Sequence, residues 1–161
     1  MSTIQDLLEE LRRETLSTRR VLERIPEASL TWRPHAKSMS LGQLALHTAS
    51  LPGMLSVLLH APAQEVPTVP LPEAVSVSEI LTMLEQQVAA AEEIVSSWDE
   101  ESLRETFRWT LQGAVLIETP RFEQVRSVLL NHWYHHRGQL TVYLRLLDVP
   151  VPGIYGPSAD E

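Results

Sequence analysis

The sequence predicts an all-α protein: a four-helix bundle with a long proline-rich crossover and a short β-hairpin. Three observations carry that prediction. Four segments place apolar residues at alternating steps of three and four, the spacing of one helix face. Pro62, Pro67, Pro70 and Pro72 crowd the stretch between the second and third of these segments. Strand and helix patterns do not alternate along the chain, which excludes a parallel α/β sheet. At 161 residues the whole chain, 1–161, reads as one domain with no internal repeat.

In the first helix, Ile4, Leu8, Leu11, Thr15, Thr18, Leu22 and Ile25 form one stripe. Pro26 stops it, because proline lacks a backbone N–H and crowds the preceding turn. A loop through Trp32, Arg33 and Pro34 leads to Ser40, which with Gln43 has capping-box spacing. The second stripe is Leu44, His47, Leu51, Met54 and Leu58, with Pro52 inside it predicting a kink. Residues 61–76 then form an extended connector, and Ser76 with Glu79 repeats the capping-box spacing. The third helix runs on Val77, Leu81, Leu84, Val88, Ala91, Val95 and Trp98.

Phe107, Trp109 and Leu111 alternate with Thr106, Arg108 and Thr110, and Gln112-Gly113 turns that strand into a hairpin with Ala114–Ile117. Thr119-Pro120 supplies a capping hydroxyl followed by a proline at the first helical position. The fourth stripe is Val125, Leu129, His132, His136, Leu140, Tyr143 and Leu147, ended by Pro150, Pro152 and Gly153.

Composition removes several classes of function. With 43% hydrophobic and 21% charged residues the chain is an ordinary globular one. The absence of cysteine excludes disulfides, thiolate metal sites and cysteine nucleophiles. A net charge of −8 argues against a broad nucleic-acid surface. The N-terminus has no secretory signal core, and His47, Pro52, Gly53 and His60 interrupt the longest apolar run below membrane-spanning length. These features predict a cytoplasmic protein, away from membrane and nucleic acid.

Three of the six histidines, His47, His132 and His136, occupy stripe positions where Leu or Val is expected. His132 and His136 lie four apart, so their rings leave one helix face about one turn from each other. His47 comes from a second helix facing the same core. Three converging neutral imidazoles bind a borderline divalent ion such as zinc or nickel and leave one coordination position open. Plain cores also contain histidines held by a single hydrogen bond, but three unpaired rings would each carry a desolvation cost that a shared ion removes.

His135, about 60° round the helix from His132, replaces one member of the pair if the helix is rotated. His60 and His35 read as solvated. Asn131 and Gln139 are candidate acceptors for a ring N–H. Arg137 either pairs with an anionic substrate or makes a structural ion pair. Trp32 and Trp133 either line a pocket or fill the core. Arg12, Arg13, Arg19 and Arg20, diluted by Glu9, Glu10, Glu14 and Glu23, read as a solvated face.

His47 within Leu44–Thr48, and the run His132-Trp-Tyr-His-His136-Arg-Gly-Gln, resemble the DinB/YfiT-like bundle proteins. The resemblance extends to Leu30–Pro34, to Ser38–Gly42 and to the tail Pro152–Ser158. It implies that His47, His132 and His136 are the three ligands of a divalent metal. It also implies a homodimer and, by analogy with some members, a transferase or isomerase that uses the metal to ionise a low-molecular-weight thiol. A small-molecule hydrolase is the neighbouring enzymatic reading. A metal-stabilised bundle without turnover is the reading from another class, favoured by the lack of an evident general acid or base beside the ligands.

Overall fold

A computed structural model describes residues 2–68 and 71–161. The expected bundle is present. Its four long helices are α1 (Thr3–Leu22), α2 (Leu41–His60), α3 (Val77–Ser96) and α6 (His132–Leu146). Two short helices, α4 (Glu100–Arg104) and α5 (Arg121–Gln124), flank a hairpin of β2 (Thr106–Leu111) and β3 (Ala114–Pro120). Leu22, Leu44, Leu51, Leu84, Leu140 and Leu144 are among the fully buried side chains where the long helices meet. Burying such a side chain is worth about 1.5–3 kcal/mol.

Helix ends follow local chemistry. Ser40 Oγ accepts from Gln43 N, and Gln43 Oε1 accepts from Ser40 N, so the capping box forms as expected. At α3 the pattern is different: Ser76 Oγ accepts from Glu79 N, but Glu79 Oε2 reaches past it to Val75 N. Helix α2 runs unbroken through Pro52. The next residue, Gly53, lets α2 touch α3, since a Cβ there would lie 2.9 Å from Gln87 Cα and 2.7 Å from its carbonyl oxygen.

On α1 the buried face is Leu7, Leu11, Glu14, Thr18, Val21 and Leu22, rotated from the predicted stripe, and Ile4, Leu8 and Thr15 are only half-buried. Glu14 belongs to that buried face, its carboxylate paired with Arg137 of α6 at 2.6 Å.

The hairpin turns at Gln112 (φ 52°) and Gly113 (φ 80°), the paired positive angles of a two-residue turn matched to strand twist. Phe107 and Trp109 of β2 are buried, whereas Val115, Leu116 and Ile117 of β3 stay exposed. The proline-rich crossover, expected to be simply extended, also contributes β1 (Ala63–Glu65), which pairs parallel to β2 with Ala63 opposite Arg108. The sheet order is β1-β2-β3.

Thr119 and Pro120 belong to β3, not to the following helix. Helix α5 starts at Arg121, and the Thr119 hydroxyl accepts from the Gln124 side chain instead of a backbone N–H. From α5 the chain passes through a π-helical stretch, Val125–Asn131, before α6 begins at His132. None of the described helices is long and apolar enough to cross a membrane.

Candidate metal centre

His47 lies in the second turn of α2, half-buried between the fully buried Leu44 and Leu51. His132 opens α6 where the π-helical stretch ends, and His136 follows one turn later. Such stretches recur at functional sites because the extra residue re-aims the side chains that follow. The three rings converge: centroids are 4.6 Å apart for His132–His136, 4.7 Å for His47–His136 and 5.8 Å for His47–His132. One nitrogen of each ring lies within 4.8 Å of the others.

Hydrogen bonding decides which nitrogens carry lone pairs. His136 Nδ1 is 2.7 Å from Gln139 Oε1, an atom that only accepts, so Nδ1 carries the proton and Nε2 is free. The Val128 backbone favours the protonated form of the His132 ring. The two Nε2 atoms then face each other at 2.7 Å. Two lone pairs aimed at one point repel unless a proton or cation lies between them.

Burial depresses the imidazole pKa at all three positions, reinforced at His47 by His132 and at His132 by His135. At His136 burial outweighs the Gln139 hydrogen bond, and with the neighbouring histidines it brings the value down to about 4. The rings are therefore neutral at ordinary pH, the ligating form. The donor set fits a borderline divalent ion such as zinc or nickel.

A cavity of about 290 Å³ opens from His47 and His132 toward the sheet. Met54, Leu55 and Leu58 of α2 form one wall, and Val128 of the π-helical stretch another. Trp109, Leu116 and Ile117 of the hairpin face them, with Val66 and Pro67 of the crossover closing one side. A smaller cavity of about 160 Å³ lies on the other side of His47, near Gln43, Ser50 and Met83. Among the described residues, neither cavity is lined by a charged side chain. The hairpin's share of the wall escaped sequence reasoning; its one signal is the unalternating apolar run Val115-Leu116-Ile117.

Arg137, read from the sequence as a candidate substrate contact, turns toward α1 and away from this cavity. It is 2% exposed and pairs with Glu14, itself 4% exposed. It also donates to Thr18 Oγ1 at 3.2 Å and to the Tyr155 hydroxyl at 2.5 Å, while Tyr155 donates to Glu14 Oε2 at 3.0 Å. The placement follows from helix geometry, since successive residues diverge by about 100°.

His135 and Asn131 are exposed, and Gln139 is the acceptor that orients His136. His60 Nδ1 accepts from Trp98 Nε1, and exposed His35 accepts from the Lys37 backbone. Trp133 is fully buried, and Trp32 packs edge-on against Tyr143. On α1, Arg12, Arg19 and Arg20 pair with Glu92, Glu85 and Glu161, as expected of a solvated face.

Comparison with known proteins places the geometry in context. The DinB family profile matches residues 1–161. The uncharacterised protein YrdA of Bacillus subtilis is 27% identical over 168 positions, covering 99% of this chain and 92% of that one. A DinB-like protein of Bacillus cereus has a solved structure that superposes with a TM-score of 0.76 at 27% identity, covering 96% of this chain and 99% of the other. A second DinB-like protein, YjoA of Bacillus subtilis, superposes at 0.68 with 16% identity, covering 90% and 96%, a likeness of fold alone.

Proposed function

This chain belongs to the DinB family, and on that premise we propose that it is a metal-dependent enzyme whose zinc or nickel ion is held by His47, His132 and His136. The observation that carries the reading is the convergence of three neutral imidazoles from two helices. When bound, the cation supplies Lewis acidity at an open position toward a low-molecular-weight thiol or water, which fits a transferase or a small-molecule hydrolase. Gln139 holds the His136 ring with Nε2 toward the other two histidines, and the cavity beside them is walled mostly by apolar side chains.

The test is direct. His132→Ala should lower bound zinc from one equivalent per chain to near zero while the far-ultraviolet circular dichroism keeps its helical amplitude. Full metal retention in that variant removes the assignment.

A second reading, a metal-stabilised binding bundle without turnover, is favoured by the lack of any carboxylate lining the cavities among the described residues. Turnover with a panel of thiols and electrophiles separates the two. The same proposal takes the protein as a cytoplasmic homodimer. Val142 and Leu146, one turn apart on α6 and exposed at 57% and 58%, are apolar surface that a second copy would cover. A monomer mass by light scattering at tens of micromolar would count against the dimer.

A further inference from the structure

We propose that the ligand of this site is a compact amphiphile: one ionisable donor group, presented to the three histidines, on an uncharged alkyl or aryl body that fills the cavity beside them. The inference rests on the metal reading above.

Its first support is the contrast between the two surfaces that meet at His47 and His132. The histidine face is polar and ends in lone pairs. The cavity behind it is walled by Leu58, Val128, Leu116 and Ile117, and its indole donor, Trp109 Nε1, is already spent on Gln124 Oε1 at 3.0 Å. A charge on the ligand body would enter that wall without a partner, at a cost that apolar contact cannot offset.

Size narrows the class. An open cavity of about 290 Å³ suits a body the size of a short chain or a single ring. On the hairpin side the wall borders solvent, since Leu116 and Ile117 keep 56% and 40% of their surface exposed.

The donor atom follows from charge. Three neutral imidazoles leave a divalent cation its full charge, and the described cavity wall supplies no carboxylate to balance it. An acidic donor that sheds its proton to solvent on binding meets that need; a neutral amine or ether does not.

Hydroxamic acids test the idea, because head and body vary separately. Zinc uptake is measured first. The zinc-loaded protein is then titrated calorimetrically, in two buffers of different ionisation enthalpy, with acetohydroxamic acid, benzohydroxamic acid and its para-carboxylate. Benzohydroxamic acid should bind at least about tenfold tighter than acetohydroxamic acid, with proton release, and the para-carboxylate should lose that gain. Leu116→Asp should cut the aryl advantage while zinc stoichiometry and acetohydroxamate affinity hold; Ile117→Asp serves the same purpose if the first variant fails to fold. Equal affinities for the alkyl and aryl acids, an aryl gain that survives the para-carboxylate or both aspartate variants, or binding without proton release overturns the inference alone. Failure of the wild-type protein to take up zinc overturns both it and the metal reading.

Discussion

His136 and Arg137 are consecutive on α6, yet they serve two polar inclusions of opposite construction. Around Arg137, every charge is answered within the chain: Glu14, Thr18 and Tyr155 satisfy the guanidinium, and α1, α6 and the C-terminal tail are tied together. Around His136, three rings converge on one point, and Gln139 holds the far nitrogen of His136 from outside. A buried polar group is thus read by closure. A closed network is architecture, whereas one whose free valences converge asks for something the chain does not contain.

The largest expected effect lies on the closed side. Arg137→Ala leaves the Glu14 carboxylate buried and unpaired, which should cost about 3–5 kcal/mol in urea denaturation. Replacing both partners, Glu14→Leu with Arg137→Met, should recover most of that loss, because the pair's own net contribution is small once desolvation is counted. If Arg137→Ala is as stable as the wild type, the network is not closed as described. Zinc stoichiometry in the folded fraction should be one equivalent throughout.

The open side should respond to metal instead. At a zinc concentration a hundredfold above Kd, stability should rise by about 2.7 kcal/mol, and His136→Ala should abolish that increment while Arg137→Ala retains it. The pH dependence has a definite sign. All three imidazoles are held below their ordinary range when folded, His136 at about 4. As pH falls below ~6.5 the unfolded chain takes up protons first, so the metal-free protein should lose stability between there and about 4. Zinc affinity of the folded protein should decline only below the ordinary imidazole range. A midpoint at ~6.5 would show solvated rings.

The smallest effect belongs to the orienting residue. Gln139→Leu removes the acceptor for His136 Nδ1 and frees the ring to rotate or change tautomer. Zinc affinity should weaken by about 10–100-fold at unchanged stoichiometry, read by chelator competition. An unchanged affinity would leave Gln139 no role at the centre.

The two inclusions also differ in how far they could be foreseen. The histidines stand out because each interrupts an apolar stripe with a ligand-capable ring, and stripe membership alone brings three of them together. The Glu14–Arg137 pair does not, because a charge is counted out of a stripe until its partner is known, and the partner lies 123 residues away. The buried face of α1 therefore includes a charge that its apolar spacing does not announce. The start of α2 and the hairpin turn were legible, since Ser40-Gln43 and Gln112-Gly113 act within a few residues; Thr119-Pro120 was not, because its hydroxyl is spent on the Gln124 side chain at the end of β3. Strand β1 was not: three residues among prolines carry no alternation, and only the edge of β2 makes them a strand. The cavity wall is likewise a product of tertiary packing between α2 and the hairpin.

The π-helical stretch works as a phase shifter in a single rod. Upstream of it, Arg121 donates to the Leu59 carbonyl and Gln124 holds the Trp109 indole. Downstream, His132 and His136 face His47. Removing one residue from Val125–Asn131 would turn one half against the other by about 100°. Either the hairpin would lose its anchor or the histidine pair would leave its partner, and the bundle could not keep both. The length of this stretch, more than its composition, synchronises the scaffold with its site.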